Sequence, residues 1–176
     1  MRTYLAKLGE VMQIAFVPQD FEGALRYWTE AMGVGPFYVQ PRLSIPTMKY
    51  KGEPTQAVFT IAIAYWGEIQ IELIEQHNDA PSIYKEWRDG GHEGVNHNCI
   101  LVDDIMEARR VAEEAGMAVV QEVPGEGWGV LYVDTGGGPG TILEIIQPNE
   151  GMLARFGRIK ADSMNWDGSD PIRYFN

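Results

Sequence analysis

Two segments of the chain share one pattern of hydrophobic and polar positions, a short apolar strand followed by an amphipathic helix. Residues 13–34 resemble residues 97–119 in this pattern. In each segment the strand ends at an acidic residue, Asp20 or Asp104, whose carboxylate is suited to accept hydrogen bonds from the first turn of a helix. Self-similarity of this kind predicts a duplicated strand–helix unit.

The two predicted helices each carry a stripe of apolar side chains at helical spacing. Such a stripe indicates packing against a sheet, which is the ordinary role of an amphipathic helix. Each helix is predicted to end at a glycine, Gly33 or Gly116. The stripes consist of Phe21, Leu25, Trp28 and Met32 in the first helix and of Ile105, Ala108, Ala112 and Ala115 in the second.

Each half of the chain also ends in a similar apolar strand, residues 69–76 and residues 141–148, which places Glu72 opposite Glu144. Apolar runs between the helix and the final strand predict further strands. We therefore predict an α+β fold of two tandem βαβββ modules. The further strand candidates are residues 35–41, 48–51 and 57–65 in the first half and residues 118–123 and 129–134 in the second. The predicted boundaries are residues 1–78 for the first module, 79–93 for a linker, 94–148 for the second module and 149–176 for a C-terminal helix and tail.

The C-terminal tail is predicted to begin with a helix, residues 150–159, and to continue as a turn-rich segment. Three aromatic side chains of that segment, Trp166, Tyr174 and Phe175, are expected to pack back onto the domain. Alternatively, they cover a partner subunit in a dimer.

Composition and charge limit the classes of protein to consider. The chain of 176 residues is 45% hydrophobic and contains five tryptophans, which predicts a packed core. Its apolar stretches are too short or too interrupted to span a bilayer, and its first ten residues lack an apolar signal core. Cys99 has no second cysteine with which to form a disulfide. We therefore expect a cytoplasmic protein. The formal net charge of −11 disfavours nucleic acids and anionic membranes as partners.

Candidate chemistry lies in four polar residues that stand among apolar neighbours in predicted strands: Gln13, Glu72, His97 and Glu144. A carboxylate in an apolar strand is costly to bury unless a cation or a hydrogen-bond network compensates it. Two such carboxylates at equivalent repeat positions indicate one shared cause. Carboxylate, imidazole and amide ligands together suit a divalent metal ion. The alternative is that both carboxylates lie on a hydrated face of the sheet and bind nothing.

The four residues and their sequence contexts, QIAFVPQD, IELIEQ, HNCILVDD and ILEIIQP, resemble the vicinal oxygen chelate superfamily. That superfamily contains glyoxalases, bleomycin-resistance proteins and ring-cleaving dioxygenases, and the resemblance covers about residues 11–148. It implies that the two modules curl into an open mixed sheet around one ion held by Gln13, Glu72, His97 and Glu144. The ligand order is similar to that of eukaryotic-type glyoxalase I, and methylmalonyl-CoA epimerases have a related set with more histidine.

The resemblance also implies a metal-dependent lyase or isomerase that moves a proton next to a carbonyl of a substrate bound to the ion through two oxygens. Glu144 or Glu72 would act as the base, and the resemblance leaves open which of the two does so. The ion would be zinc, nickel, cobalt, manganese or magnesium, since these ligands leave the choice open. Aromatic residues in the strands indicate a small-molecule substrate that is partly apolar or aromatic. A homodimer is implied by the resemblance alone.

Two other functions stay open at the level of the sequence. Ring-cleaving dioxygenases of this superfamily use two histidines and one carboxylate, whereas His97 is the one histidine at a ligand position in this chain. A metal-free protein that sequesters an aromatic or antibiotic-like ligand would keep the four polar residues as a relic or as a hydrated network. The substrate of an enzyme stays open among hemithioacetals, coenzyme A esters and aromatic diketones.

Overall fold

The first half of the chain forms one βαβββ module with a small hairpin inserted after its second strand. The computed structural model describes residues 3–175. A short 3-10 helix, Leu5–Lys7, precedes the module, and a π-helical turn, Tyr27–Ala31, extends its helix. In chain order the elements are β1 (Val11–Phe16), α1 (Phe21–Arg26), β2 (Phe37–Ser44), the inserted β3 (Lys49–Tyr50) and β4 (Glu53–Pro54), β5 (Val58–Trp66) and β6 (Ile69–Gln76).

The second half repeats the module without the hairpin. A short helix connects the two halves, and a long helix with one further strand follows the second module. In chain order the elements are α2 (Ile83–Asp89), β7 (Val95–Leu101), α3 (Ile105–Glu114), β8 (Ala118–Pro124), β9 (Gly129–Asp134), β10 (Ile142–Gln147), α4 (Glu150–Met164) and β11 (Ile172–Tyr174).

Eleven strands of the described residues join one mixed sheet in the order β11-β2-β5-β6-β1-β7-β10-β9-β8-β3-β4. The two halves meet at its centre, where β1 pairs antiparallel with β7. Each half contains one parallel pair, β1 with β6 and β7 with β10, so the first and last strands of each module are neighbours. The predicted α+β fold of two tandem modules around an open sheet is confirmed.

The inserted hairpin requires the sheet to be strongly curled. The sequence pattern assigns residues 48–51 to the first module, whereas β3 pairs with β8 of the second module, with Lys49 opposite Glu122. The strand order puts β3 eight spacings from β2, which is about 38 Å in a flat sheet. The five residue steps from Ser44 to Lys49 span about 18 Å at most. The two edges of the sheet must therefore curve toward each other, and the hairpin crosses the opening between them.

The helices α1 and α3 cover the convex face of the sheet. Their apolar stripes pack on strand residues such as Leu73 and Ile145, which point away from Glu72 and Glu144 because side chains alternate along a strand. Five of the eight stripe residues are buried as predicted, whereas Ala115 is exposed and Met32 is 37% exposed. The wider π-helical turn precedes Met32 and rotates it off the buried face. No helix within residues 3–175 has the length and apolar character needed to cross a membrane.

The C-terminal segment packs on its own chain. The helix α4 is longer than predicted and lies over the concave face at β5, where Ile159 is buried with Tyr38. The strand β11, which the pattern does not predict, pairs parallel with β2. The rings of Phe175 and Tyr38 are 4.9 Å apart, and Trp166 lies against the backbone at residue 35, as expected of both aromatic residues. Tyr174, by contrast, is 61% exposed.

The ends of α1 and α3 form as the repeat predicts. The side chain of Asp20 accepts a hydrogen bond from one backbone amide of α1, and that of Asp104 accepts from two amides of α3. Each helix is followed by a glycine in the left-handed region, Gly33 with φ of 66° and Gly116 with φ of 81°. Glycine adopts this conformation without a steric penalty, so both predicted helix ends follow from local chemistry.

We expect Asp104→Ala to lower the free energy of unfolding by about 1 kcal/mol, because two amide groups of α3 lose their acceptor. Asp103→Ala is the matched control, since its exposed neighbouring side chain caps no helix, and we expect a change within about 0.5 kcal/mol. Denaturant unfolding followed by circular dichroism measures both values. Equal losses in the two variants would contradict the assigned cap.

Candidate metal centre

Four adjacent strands at the centre of the sheet carry the four predicted site residues. Gln13 lies on β1, Glu72 on β6, His97 on β7 and Glu144 on β10, and these strands are ordered β6-β1-β7-β10. The register aligns them, because Ala15 of β1 pairs with Glu72 on one side and with His97 on the other. The structure therefore brings all four residues of one chain to the middle of the concave face.

His97 faces both carboxylates at ion-pair distance. Its Nε2 atom lies 3.6 Å from Oε2 of Glu72 and 3.5 Å from Oε2 of Glu144. One donor atom from each of the three residues lies within 4.8 Å of the other two. A single ion with bonds of about 2.0–2.2 Å can bridge atoms at such separations. The exposed fractions are 0% for His97, 7% for Glu72 and 5% for Glu144, so water contributes little to balancing their charges.

The imidazole of His97 is oriented by its sequence neighbour. The Nδ1 atom of His97 and Oδ1 of Asn96 are 2.8 Å apart, and both residues are fully buried. The carboxamide oxygen can only accept, so Nδ1 donates to it, and Nε2 is the ring atom that faces Glu72 and Glu144. This is the arrangement by which a second residue fixes the tautomer of a metal-binding histidine.

Gln13 is held so that its carboxamide oxygen is unpaired. Its Nε2 donates to Oε1 of Gln70 at 2.6 Å, and Nε2 of Gln70 donates to the hydroxyl of Tyr65 at 2.9 Å. These two bonds fix the orientation of the Gln13 amide, which is 2% exposed. Its Oε1 atom has no hydrogen-bond partner among residues 3–175. The oxygen is thus available as a ligand on the strand next to both Glu72 and His97.

The surroundings separate the proton affinities of the two carboxylates. Burial raises the pKa of Glu72, and the charge of Glu144 adds to this effect, which outweighs the opposing influence of His97. Burial acts in the same direction on Glu144, but His97, Tyr132 and Cys99 together hold the pKa of Glu144 below its ordinary value. Burial alone lowers the pKa of His97, yet the two carboxylates raise it to about 9. The metal-free centre therefore retains a proton at neutral pH.

The donor set fits a divalent metal ion. Six buried side-chain atoms of the described chain lack a hydrogen-bond partner, and two of them, Oε1 of Gln13 and Nε2 of His97, belong to predicted ligands. Leaving such an atom unpaired costs about 1–3 kcal/mol, which a bound cation would offset. Two carboxylates, one imidazole and one amide oxygen carry a charge of about −2, which a divalent ion balances.

A cavity of about 450 Å³ opens above the centre on the concave face. Gln13, Glu72 and Glu144 contribute the polar floor, and the walls are mostly apolar. Both modules and the crossing that leads to the β3–β4 hairpin supply these walls. Among the wall residues are Leu43, Met48, Phe59, Ile61, Trp128 and Val130.

Several supporting polar residues were not identified from the sequence. Tyr132 stands opposite Glu144 in the β9–β10 register, its ring is edge-on to His97 at 5.3 Å, and its hydroxyl lies 3.0 Å from that of Tyr84. Burial raises the pKa of both tyrosines, so both hydroxyls keep their protons. Strand alternation could have indicated Tyr132, but nothing in the helical pattern of α2 indicates Tyr84. The sequence pattern did not indicate a role for Asn96 either, because its hydrogen bond to His97 is known only from the structure.

Several solved structures resemble this chain in fold. The hypothetical protein BH1468 from Bacillus halodurans C-125 superimposes with a TM-score of 0.59 at 21% identity, covering 81% of this chain and 96% of that protein. Methylmalonyl-CoA epimerase from Mycobacterium tuberculosis superimposes with a TM-score of 0.57 at 13% identity, covering 88% of this chain and 96% of that protein. A Streptomyces coelicolor methylmalonyl-CoA epimerase in complex with 2-nitronate-propionyl-CoA superimposes with a TM-score of 0.52 at 12% identity, covering 81% of this chain and 96% of that protein. No curated protein sequence matches the chain.

A family model identifies the superfamily directly. The model of the Glyoxalase/Bleomycin resistance protein/Dioxygenase superfamily matches residues 12–132, which is more than half of the chain. The match includes Gln13, Glu72 and His97, while Glu144 lies beyond it. The solved neighbours are too distant in sequence to add more than the shared fold. The chain belongs to the Glyoxalase/Bleomycin resistance protein/Dioxygenase superfamily, as its sequence motifs predict.

Proposed function

We propose that this chain is a divalent-metal-dependent lyase or isomerase of the glyoxalase or epimerase type, which moves a proton on the carbon next to a carbonyl group. The observation that carries the proposal is the convergence of Glu72, His97 and Glu144, whose two carboxylates form part of the floor of an apolar cavity. Gln13 is proposed as the fourth ligand through its unpaired oxygen. Superfamily membership supports the general class, and the ligand geometry supports this narrower choice within it.

The two carboxylates have different proposed roles. A divalent ion, when bound, supplies positive charge that stabilises the negative charge developing on two chelating substrate oxygens. Glu144 is the proposed base, because its carboxylate lines the cavity floor, and its pKa, held low by His97, leaves it ionised to accept the proton from carbon. Glu72, with its raised pKa, is suited to hold or return a proton from the opposite side of the β1–β7 pair.

The cavity supports a substrate that is partly apolar or aromatic. Its volume of about 450 Å³ is within the range of small-molecule sites, and its walls are mostly apolar. Similar solved structures are described as methylmalonyl-CoA epimerases, one of them in complex with methylmalonyl-CoA. This supports testing a coenzyme A ester first. Hemithioacetals and aromatic diketones present the same pair of oxygens and belong in the same set of test compounds.

The apolar cavity by itself would also suit a metal-free protein that sequesters an aromatic or antibiotic-like ligand. Such a protein has no need of three buried side chains that are placed to hold a metal ion, so metal content separates the two functions. A ring-cleaving dioxygenase is disfavoured because the centre contains one histidine. The net charge of −11 disfavours nucleic acid and membrane partners, which stays a prediction, as do the homodimer and the cytoplasmic location.

Protein purified without a metal-affinity tag is expected to contain close to one divalent ion per chain. We expect Glu72→Gln to weaken binding of that ion by about 100-fold or more, because a charged ligand is lost where even supporting residues contribute about 10- to 100-fold. Glu75→Gln, an exposed residue on the same strand, is the control and should leave binding unchanged. Elemental analysis and competition with a chromophoric chelator give both values. Metal-free protein that takes up no added ion would refute the proposal.

The assignment of Glu144 as base is tested by hydrogen exchange in deuterated water. With methylmalonyl-CoA and the hemithioacetal of methylglyoxal and glutathione as trial substrates, proton NMR reports deuterium entering the carbon next to the carbonyl. We expect Glu144→Gln to slow the exchange by about 100-fold or more with a substrate that the unmodified protein accepts. The Glu75→Gln protein serves as the control. Exchange at the unmodified rate in the Glu144→Gln protein would show that Glu144 is not the base.

We expect Asn96→Ala to weaken metal binding by about 10- to 100-fold, since His97 loses the acceptor that fixes its ring. Asn96→Asp keeps an acceptor at this position and should restore most of the affinity. Asn98→Ala, two residues further along β7, is the matched control. Isothermal titration with zinc measures the four proteins, and circular dichroism checks that each is folded. An affinity unchanged in Asn96→Ala would show that the Asn96 contact does not support the centre.

A further inference from the structure

We propose that the substrate carries an anionic group at the end remote from the metal, and that Arg155 binds this group at the rim of the cavity. This inference rests on the proposed function, because it concerns the ligand of the same cavity. It assigns a substrate class, an apolar or aromatic body with a carboxylate, sulfonate or phosphate. The residue that recognises the anion comes from α4, outside the part of the chain that the family model matches.

Arg155 is positioned by two other residues of the cavity wall. Its Nη1 donates to Oε1 of Gln40 at 2.9 Å, and its guanidinium carbon lies 4.6 Å from the ring centre of Phe175. Gln40, Phe175 and Arg155 all line the cavity, so both contacts hold the guanidinium at the mouth. Within residues 3–175 no carboxylate lies within 4.0 Å of it, although the chain has a large excess of acidic residues.

The charge distribution of the cavity sets the orientation of the proposed ligand, with its anionic group at Arg155 and away from the two glutamates. Among the described lining residues, Arg155 is the one lysine or arginine, whereas Glu72 and Glu144 occupy the floor. A guanidinium has five N–H donors, and the bond to Gln40 uses one, so a planar pair of donors is free for an anion. In a chain with net charge −11, an anionic ligand is repelled at long range, and a local cation is what its binding would require.

The wall between the two charged ends is apolar. Ile61 and Ile63 of β5 and Met152 and Phe156 of α4 line the cavity together with Arg155. A ligand that reaches from the metal centre to the guanidinium must cross this surface, which favours aromatic or aliphatic carbon over sugar hydroxyls. The proposed substrate therefore has chelating oxygens at one end, an apolar middle and an anion at the other end.

A pair of fluorescent probes tests this inference without knowledge of the substrate. The dyes 8-anilinonaphthalene-1-sulfonate and N-phenyl-1-naphthylamine share the same aromatic rings and differ in the sulfonate. We expect Arg155→Ala to weaken binding of the sulfonate dye by about 10- to 100-fold, as for loss of a hydrogen bond to a charged group, and to change the neutral dye by less than about threefold. The affinity of the Arg155→Lys protein for the sulfonate dye should lie between those of the unmodified protein and the Arg155→Ala protein.

Arg158→Ala is the matched control, because its guanidinium lies on the same helix over the ring of Tyr38 and does not line the cavity. Circular dichroism confirms folding of each variant. Equal weakening of both dyes in Arg155→Ala, or no weakening of either, would overturn the proposal. Each titration is repeated after removal of metal with a chelator. The proposal would also be overturned if the sulfonate dye stopped binding when the metal is removed but still bound the Arg155→Ala protein. If binding of the sulfonate dye to the metal-free protein depends on Arg155, the proposal is supported even where the proposed catalysis fails.

Discussion

Two carboxylates buried beside one imidazole form the interaction on which the rest of the structure depends. Glu72 and Glu144 lie within 3.6 Å of His97 at the centre of the sheet, where charge without compensation is costly. In the metal-free protein the compensation is a proton, since the two carboxylates raise the pKa of His97 to about 9. A divalent ion would balance the same charge and also pair the orphaned oxygen of Gln13. The cost of burial and the proposed chemistry therefore have one common origin.

Duplication and curvature together create this centre. Each module places its first and last strands side by side, and the antiparallel pairing of β1 with β7 brings those two pairs into four adjacent strands. Side-chain alternation then separates the apolar face under α1 and α3 from the polar positions on the concave face. Curling of the sheet, required by the short connection from β2 to β3, turns that face into a cavity, and α4 adds a wall from outside the repeat.

The sequence was sufficient for those features that depend on local chemistry or on the repeat. Asp104 and Gly116 mark the ends of α3 because capping is a property of a few neighbouring residues. Glu72 and Glu144 could be aligned because the repeat supplies equivalent positions. The pairing of β3 with β8 and of β11 with β2 could not be predicted, because short strands carry no information about a remote partner. Tyr84 was missed for the same reason, since α2 acquires its neighbour Tyr132 only in three dimensions.

The most direct test of the central claim is X-ray absorption spectroscopy of the zinc-loaded protein. Convergence of the four residues on one ion predicts a first shell of nitrogen and oxygen atoms at about 2.0–2.2 Å, with the outer-shell scattering of a single imidazole. A Glu72→Gln protein should retain the imidazole signal if it retains any ion. A spectrum showing a sulfur ligand from Cys99, scattering from two imidazoles, or an ion surrounded by water alone would contradict the account.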